Sequence, residues 1–150
     1  MNLIVRKAIL DDCEKVYLLR NQPDIREICL NDEKINYESH QKWFAKVLID
    51  KNRLLAVGEL GGTFIGVIRL DYYDNEALIS IFIDAKQSGQ GYGSIMLQQA
   101  EVLAMQKWKK LKKLRAEILE DNINSISFFE KKGFQKRALV YYKHLTRCEK

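Results

Sequence analysis

A chain of 150 residues with 47% hydrophobic, 30% charged and 10% aromatic residues is the size of one ordinary domain, with enough apolar mass for a core; this excludes disorder as its main state. A single proline (Pro23), eight glycines and three widely spaced cysteines (Cys13, Cys29, Cys148) exclude a collagen-like repeat, a disulfide framework and a zinc cluster. Lys and Arg number 25 against 20 Asp and Glu, and the net charge of +5 favours anionic partners without identifying one.

Ile4-Val5-Arg6-Lys7-Ala8 predicts a short first strand, and Asp11 and Asp12 offer an N-cap for a helix carrying Val16, Leu18 and Leu19. Pro23 interrupts that pattern, which Ile25 to Leu30 can resume. Asn36 caps a second helix, where Tyr37, His40, Trp43, Phe44, Val47 and Leu48 build one apolar face. After Asp50 the period changes. Leu54 to Leu60 reads as a strand, Gly61-Gly62 as a hairpin turn, Thr63 to Tyr72 as the next strand, Asp74-Asn75 as a second turn and Ala77 to Ile83 as a third. A long helix to about Trp108 follows a glycine-rich stretch. Lys113 to Leu119 reads as a strand, Asn124 to Lys132 as a helix closed by Gly133, and Phe134 to about Thr146 as a last strand. The order β-α-α-β-β-β-α-β-α-β describes one α/β domain over 1–150, with a mixed, mainly antiparallel central sheet flanked by helices. No run of 18 apolar residues and no apolar leader is present, so the expectation is a cytoplasmic protein without a membrane partner.

The stretch Gln87-Ser88-Gly89-Gln90-Gly91-Tyr92-Gly93-Ser94 lies between an apolar strand and a helix. Glycine permits positive φ, and a helix N-terminus presents free N–H groups with the positive end of its dipole, so such a loop suits a pyrophosphate. A Walker A loop is excluded because no Gly-Lys-Ser/Thr occurs. A Rossmann start is excluded by the spacing and by the meander of strands before it.

Ser88-Gly89-Gln90-Gly91-Tyr92-Gly93 resembles the Arg/Gln-x-x-Gly-x-Gly/Ala signature of the GNAT family of acetyl-CoA-dependent N-acetyltransferases. Asn122-Ile123-Asn124-Ser125, running on to Gly133-Phe134, is similar to the family's Asn-x-x-Ala/Ser helix, and Arg6-Lys7-Ala8 with Asp11-Asp12 to its first strand and helix entry. The resemblance implies the acyl-CoA N-acyltransferase fold and acetyl-CoA as co-substrate, with no metal. It implies a cofactor site of Ser88, Gly89, Gln90, Gly91, Tyr92, Gly93 and Ser94, with Ile83 pairing the pantetheine by its backbone. Asn122 and Ser125 stand where relatives bond the pantetheine, although Asn122 equally suits a helix cap. The amide of Ile81 is expected to face the thioester carbonyl. Two departures stand out: Ser88 replaces the usual Arg or Gln, and Phe129 replaces a Tyr that can protonate the thiolate.

For the remaining chemistry, Glu76 is a candidate general base, and Tyr141 or Tyr142 on the last strand a candidate cleft hydroxyl. His40 is expected as a structural histidine. The run Lys107-Trp108-Lys109-Lys110-Leu111-Lys112-Lys113 reads as a solvated helix end, with an RNA- or ribosome-facing patch as its alternative. Arg20-Asn21-Gln22-Pro23-Asp24-Ile25-Arg26 with His40-Gln41-Lys42-Trp43 is similar to relatives that acetylate the 4-amino group of a nucleotide-linked deoxyamino sugar, and also resembles enzymes that acetylate the N-terminus of ribosomal proteins. The resemblance therefore implies direct transfer to a primary amine, the nucleotide sugar favoured over the ribosomal protein. A homodimer is compatible with it. The rival from another class is a non-catalytic basic binding module on the same fold.

Overall fold

The computed structural model describes residues 2–147, so Cys148 lies outside the described residues. Strand β1 (Leu3–Lys7) pairs antiparallel with β2 (Arg53–Leu60), β2 with β3 (Thr63–Tyr73) and β3 with β4 (Glu76–Ile83). β5 (Lys113–Arg115) joins β4 in parallel, giving the order β1-β2-β3-β4-β5. Both hairpins turn on two residues of positive φ, Gly61-Gly62 and Asp74-Asn75, whose twist matches that of the strands they join.

Alternation along the strands divides the core into two layers. Leu54 and Ala56 of β2 belong to the layer under α4 (Tyr92–Lys107) and α5 (Ile123–Lys131), with Ile68, Met96, Ala100 and Phe129. Leu55 and Val57 belong to the opposite layer, with Val16 and Leu19 of α1 (Cys13–Arg20), Ile25 of α2 (Pro23–Glu27), and Phe44 and Val47 of α3 (Tyr37–Ile49). Pro23 starts α2 at its first position, where its missing N–H has no helical partner in any case. Asn36 caps α3, its Oδ1 accepting the Ser39 N–H at 3.2 Å.

An arginine clamp ties the first strand to this layer. Arg6 donates to both oxygens of Asp12, at 2.8 and 2.9 Å, and to Glu59 at 2.8 Å. Burial opposes ionisation of Asp12, yet the Arg6 hydrogen bonds and the Ile9 N–H outweigh it and hold the carboxyl below its usual range.

Two sequence expectations are corrected. β5 is a strand only over Lys113–Arg115, not to Leu119, and residues 134–147 contain no strand. Leu139, Val140, Tyr141, Tyr142 and Leu145 are all exposed. Their β-forming side chains express a propensity, which becomes a strand only where an edge is available to pair with, and β5 offers three residues. Of the basic run, Lys107 ends α4, and Lys109, Lys110, Lys112 and Lys113 are exposed beyond that helix, Lys113 opening β5, while Trp108 within the run is buried, stacks on Tyr72 at 5.0 Å and donates its indole N–H to the Lys51 carbonyl. Among the described residues, no helix is long and apolar enough to cross a membrane, and no cluster of three or more metal-ligating side chains occurs.

Candidate active site

The site begins where the sheet splits. β4 and β5 pair only from Glu76–Leu78 to Lys113–Arg115. Beyond Leu78, β4 continues to Ile83 on β3 alone, while residues 116–119 leave the ladder. A wedge therefore opens with the Ile79–Ile83 edge of β4 as one lip. The Asp84 N–H donates to the Ile65 carbonyl at 2.9 Å, so the alternation of antiparallel pairing turns the backbone groups of Phe82 and Ser80 toward β3 as well. Those of Ile81 and Ile83 turn outward, into the wedge.

At the end of this lip the chain makes a short 3-10 turn (Ala85–Gln87) and passes through Ser88, Gly89 and Gln90 to Gly91, the N-cap of α4. Gly89 and Gly91 hold φ of +77 and +81, a conformation costly to any side chain. Gly91 has no side chain to accept the first-turn N–H groups, unlike Asn36 on α3 and Asn122 on α5. The N–H groups of Tyr92, Gly93 and Ser94 therefore remain available to an anion at the positive end of a 16-residue helix. Tyr92 is oriented by its hydroxyl, 3.2 Å from the side-chain oxygen of Gln90.

Helix α5 forms the other wall. Asn122 accepts the Ser125 N–H at 3.2 Å and is thus a helix cap, one of the two roles its type allows. Ser94, Asn124, Ser127, Phe128, Lys131 and Lys132 line a hollow of about 330 Å³ beside the start of α4. A second hollow of about 300 Å³, lined by Glu27, Ile28, Asp121, Asn122, Ile123 and Asn124, lies between the end of α2 and the start of α5. Asn124 borders both, so the first turn of α5 joins the glycine loop to the α2 side. The sequence reading missed Asn124 and the lysine pair, because only folding brings the end of α5 beside the start of α4.

Not every candidate arrives at this wedge. Glu76 stands at the far end of β4, about 17 Å from Ile81 at roughly 3.4 Å per residue, and faces Lys113 at 4.0 Å. Tyr141 is 85% exposed on the irregular C-terminal segment, and Tyr142 is exposed beside it; neither points into a cleft. Phe129 is buried rather than at a cleft edge, and packs edge-on against Phe128 and Phe134. His40 is buried, 3.0 Å from the Cys13 carbonyl through Nε2, and ringed by Tyr17, Trp43 and Phe44. Burial, aided by the charge of Arg20, holds its pKa down, so it sits as a neutral donor inside the protein.

Comparison with known proteins agrees with this geometry. Residues 2–135 match the family model described as an acetyltransferase (GNAT) domain. The chain is 30% identical over 146 residues to YwnH of Bacillus subtilis, whose name proposes phosphinothricin acetylation; the match covers 91% of this chain and 86% of YwnH. It is 27% identical over 147 residues to the uncharacterized protein MJ1062 of Methanocaldococcus jannaschii, with 89% of this chain covered but only 28% of that longer relative. Among solved structures, the spermidine N-acetyltransferase of Vibrio cholerae in complex with CoA and spermine superposes with a TM-score of 0.85 at 17% identity, over 97% of this chain and 88% of that one. With the split sheet, the glycine loop and the family match in agreement, the chain belongs to the GNAT family and is an acetyl-CoA-dependent N-acetyltransferase.

Proposed function

We propose that this protein moves an acetyl group directly from acetyl-CoA to a primary amine, and that the acceptor is a nucleotide-linked 4-amino deoxysugar. The observation that carries the transfer reading is the continuity of the β4 lip with the uncapped N-terminus of α4. The N–H groups from Gln90 to Ser94 would hold the pyrophosphate, and the outward backbone of Ile83 would pair with the pantetheine. Asn122 orders the first turn of α5, where Ser125 would offer its hydroxyl to the cofactor arm, while Phe129 on the same helix packs against Phe128 and Phe134. The acetyl thioester supplies the electrophile when bound. The Ile81 N–H, free of the ladder, would donate to the carbonyl oxygen as negative charge develops there.

The amine must lose a proton before it attacks. Glu76 is too far down β4 for direct contact, so water in the wedge is the route out for that proton. Ser88 adds little beside the backbone donors, and Phe129 cannot protonate the departing thiolate. A thiol with pKa of about 8.5 leaves without obligatory protonation. The acceptor reading is supported by the likeness of Arg20–Arg26 and His40–Trp43 to sugar-acetylating relatives.

Thermal shift with acetyl-CoA, followed by CoA release across a panel of primary amines, tests the proposal. A ligand at 100 times its Kd stabilises by about 2.7 kcal/mol. Absence of any shift, with salt-sensitive RNA binding in its place, would establish the basic binding module instead.

A further inference from the structure

We infer that Arg20 reads an anionic group on the acceptor, so that the substrate class is a primary amine carrying a phosphate or a carboxylate. This rests on the acetyltransferase reading above. Arg20 is the last residue of α1, half-buried, with its guanidinium carbon 4.5 Å over the ring of Phe82. Its Nη1 donates to Cys29 Sγ at 2.6 Å. Arg6, Arg53, Arg69 and Arg115 each meet a carboxylate within 4.0 Å; among the described residues Arg20, like Arg26, Arg137 and Arg147, meets none, and of these four it is the one lying over a ring of β4. Asp84, two residues beyond Phe82, directs its oxygens to Gln22 at 3.4 Å and to the Lys86 N–H at 2.9 Å instead.

A guanidinium has five N–H donors, and a thiol is a weak acceptor for one of them. The charge stays uncompensated, and its influence reaches His40. Stacking on Phe82 and the bond to Cys29 fix the plane of the fork before any ligand arrives. Preorganised, partly desolvated and still short of an anion, it suits bidentate binding of phosphate or carboxylate.

Its place in the fold points to the acceptor rather than the cofactor. Phe82 lies between Ile81 and Ile83 on β4, and alternation sends its side chain to the face opposite theirs. Ile81 and Ile83 pack in the layer under α4 and α5, Phe82 in the layer of α1 to α3. Arg20 thus stands across one strand from the reacting edge, on the side away from the glycine helix. The half-buried rings of Tyr17 and Trp43 lie on the same side, and Arg69 is over Trp43 but already paired with Asp71 at 2.7 Å. Arg20, stacked on Phe82 and without a carboxylate partner, presents free donors on that side.

The test measures CoA release by the full chain with ethanolamine, O-phosphoethanolamine, β-alanine and a nucleoside-diphosphate 4-amino sugar. At least one anionic amine should exceed ethanolamine in kcat/KM by about tenfold or more, as expected for one hydrogen bond to a charged group. Phosphoethanolamine and the sugar nucleotide report a phosphate, β-alanine a carboxylate. Arg20→Gln should erase that preference by raising the KM of the anionic amine, with acetyl-CoA affinity unchanged, and Arg20→Lys should restore part of it. Should the variants fold poorly, the trimethylated (quaternary) forms of O-phosphoethanolamine and β-alanine, which carry the anion but cannot accept an acetyl group, should compete in the wild type with the acceptor and not with acetyl-CoA. Equal use of ethanolamine, or an Arg20→Gln variant that keeps the preference, overturns the inference while the transferase reading stands. Loss of the acetyl-CoA thermal shift in the wild type overturns both.

Discussion

The side-chain amide of Gln99 on α4 completes the outer edge of β1: its Oε1 accepts the Val5 N–H at 2.8 Å and its Nε2 donates to the Leu3 carbonyl at 2.9 Å. β1 is the edge strand of the sheet, and an open edge is a template for pairing with another chain. One carboxamide does what a neighbouring strand would do over those two residues, and it also anchors α4, the helix that starts at the glycine loop. Gln99→Leu keeps the volume and removes both bonds. The expected loss is about 1–3 kcal/mol, the range for a part-buried donor and acceptor left unmet, together with faster aggregation on heating. Chemical denaturation and light scattering measure the two effects; an unchanged midpoint would show that water replaces the amide without penalty.

Gly91→Val tests the anion cradle. The space around Gly91 is open, so the variant's difficulty lies in φ of +81, which a β-branched residue strongly resists. The loop must move, taking the first N–H groups of α4 out of alignment. Acetyl-CoA affinity should fall at least tenfold with the fold retained, read by calorimetry and circular dichroism. Unaltered affinity would mean that the pyrophosphate is held elsewhere.

Glu76→Gln should change kcat by less than threefold across pH 6 to 9. The carboxylate faces Lys113 at the end of β4 remote from Ile81, and a surface pair at 4.0 Å contributes little to stability. A large fall in kcat, with the acid-side limb of the pH–rate profile lost in the variant, would reinstate Glu76 as the proton acceptor.

The elements most legible in the sequence were those specified locally. Gly61-Gly62 and Asp74-Asn75 signalled hairpins because their positive φ is a property of the residues themselves, and Asn36 signalled α3 by its cap. The glycine loop was legible for the same reason. Gln99 bonding Val5, Arg6 reaching Glu59, and Arg20 lying on Phe82 each join residues far apart in the chain, and nothing at either position announces the other. The split between β4 and β5 was invisible because Ala116-Glu117-Ile118-Leu119 alternates like a strand yet leaves the ladder. Leu139 to Tyr142 misled in the same way: strong β-formers without a paired edge.

His40 gives the protein a stability that depends on pH. Its pKa is depressed in the folded state, chiefly by burial, so below the ordinary histidine pKa of about 6.5 the unfolded chain binds more protons than the folded one. The contribution is therefore complete above about pH 6.5 and is lost as pH falls from there toward the depressed value. Asp12 and Glu59, both held below the usual carboxylate range, add a second loss in the same direction as pH falls through about 4. Melting temperature should decline from pH 7 to pH 5, and His40→Gln, which keeps a donor for the Cys13 carbonyl, should flatten that decline while leaving the acid limb. An equal slope in the variant would place the proton uptake on another group.

Phe129→Tyr tests whether a protein acid at this position can assist the departing thiolate. The ring is buried on α5, edge-on to Phe128 at 5.1 Å and to Phe134 at 4.9 Å, within the layer that also includes Ile81 and Ile83. Truncation to Ala should therefore cost about 3–5 kcal/mol, as for other buried phenylalanines. Phe129→Tyr is the informative change, since it adds one oxygen and no other bulk. A hydroxyl that met only apolar neighbours would cost about 1–3 kcal/mol. One that reached the wedge between β4 and residues 116–119 would be solvated and could donate to the departing sulfur. The position of the ring among residues of the β4 lip favours the second outcome. The variant should melt close to the wild type, hold its acetyl-CoA KM, and keep or raise kcat, with a gain capped by the 10²–10⁴ that one general acid contributes. Steady-state CoA release with the best amine, measured beside a thermal melt, separates the alternatives. A tenfold fall in kcat with acetyl-CoA still bound would show that the ring serves packing alone and that the thiolate departs without a protein acid at this position.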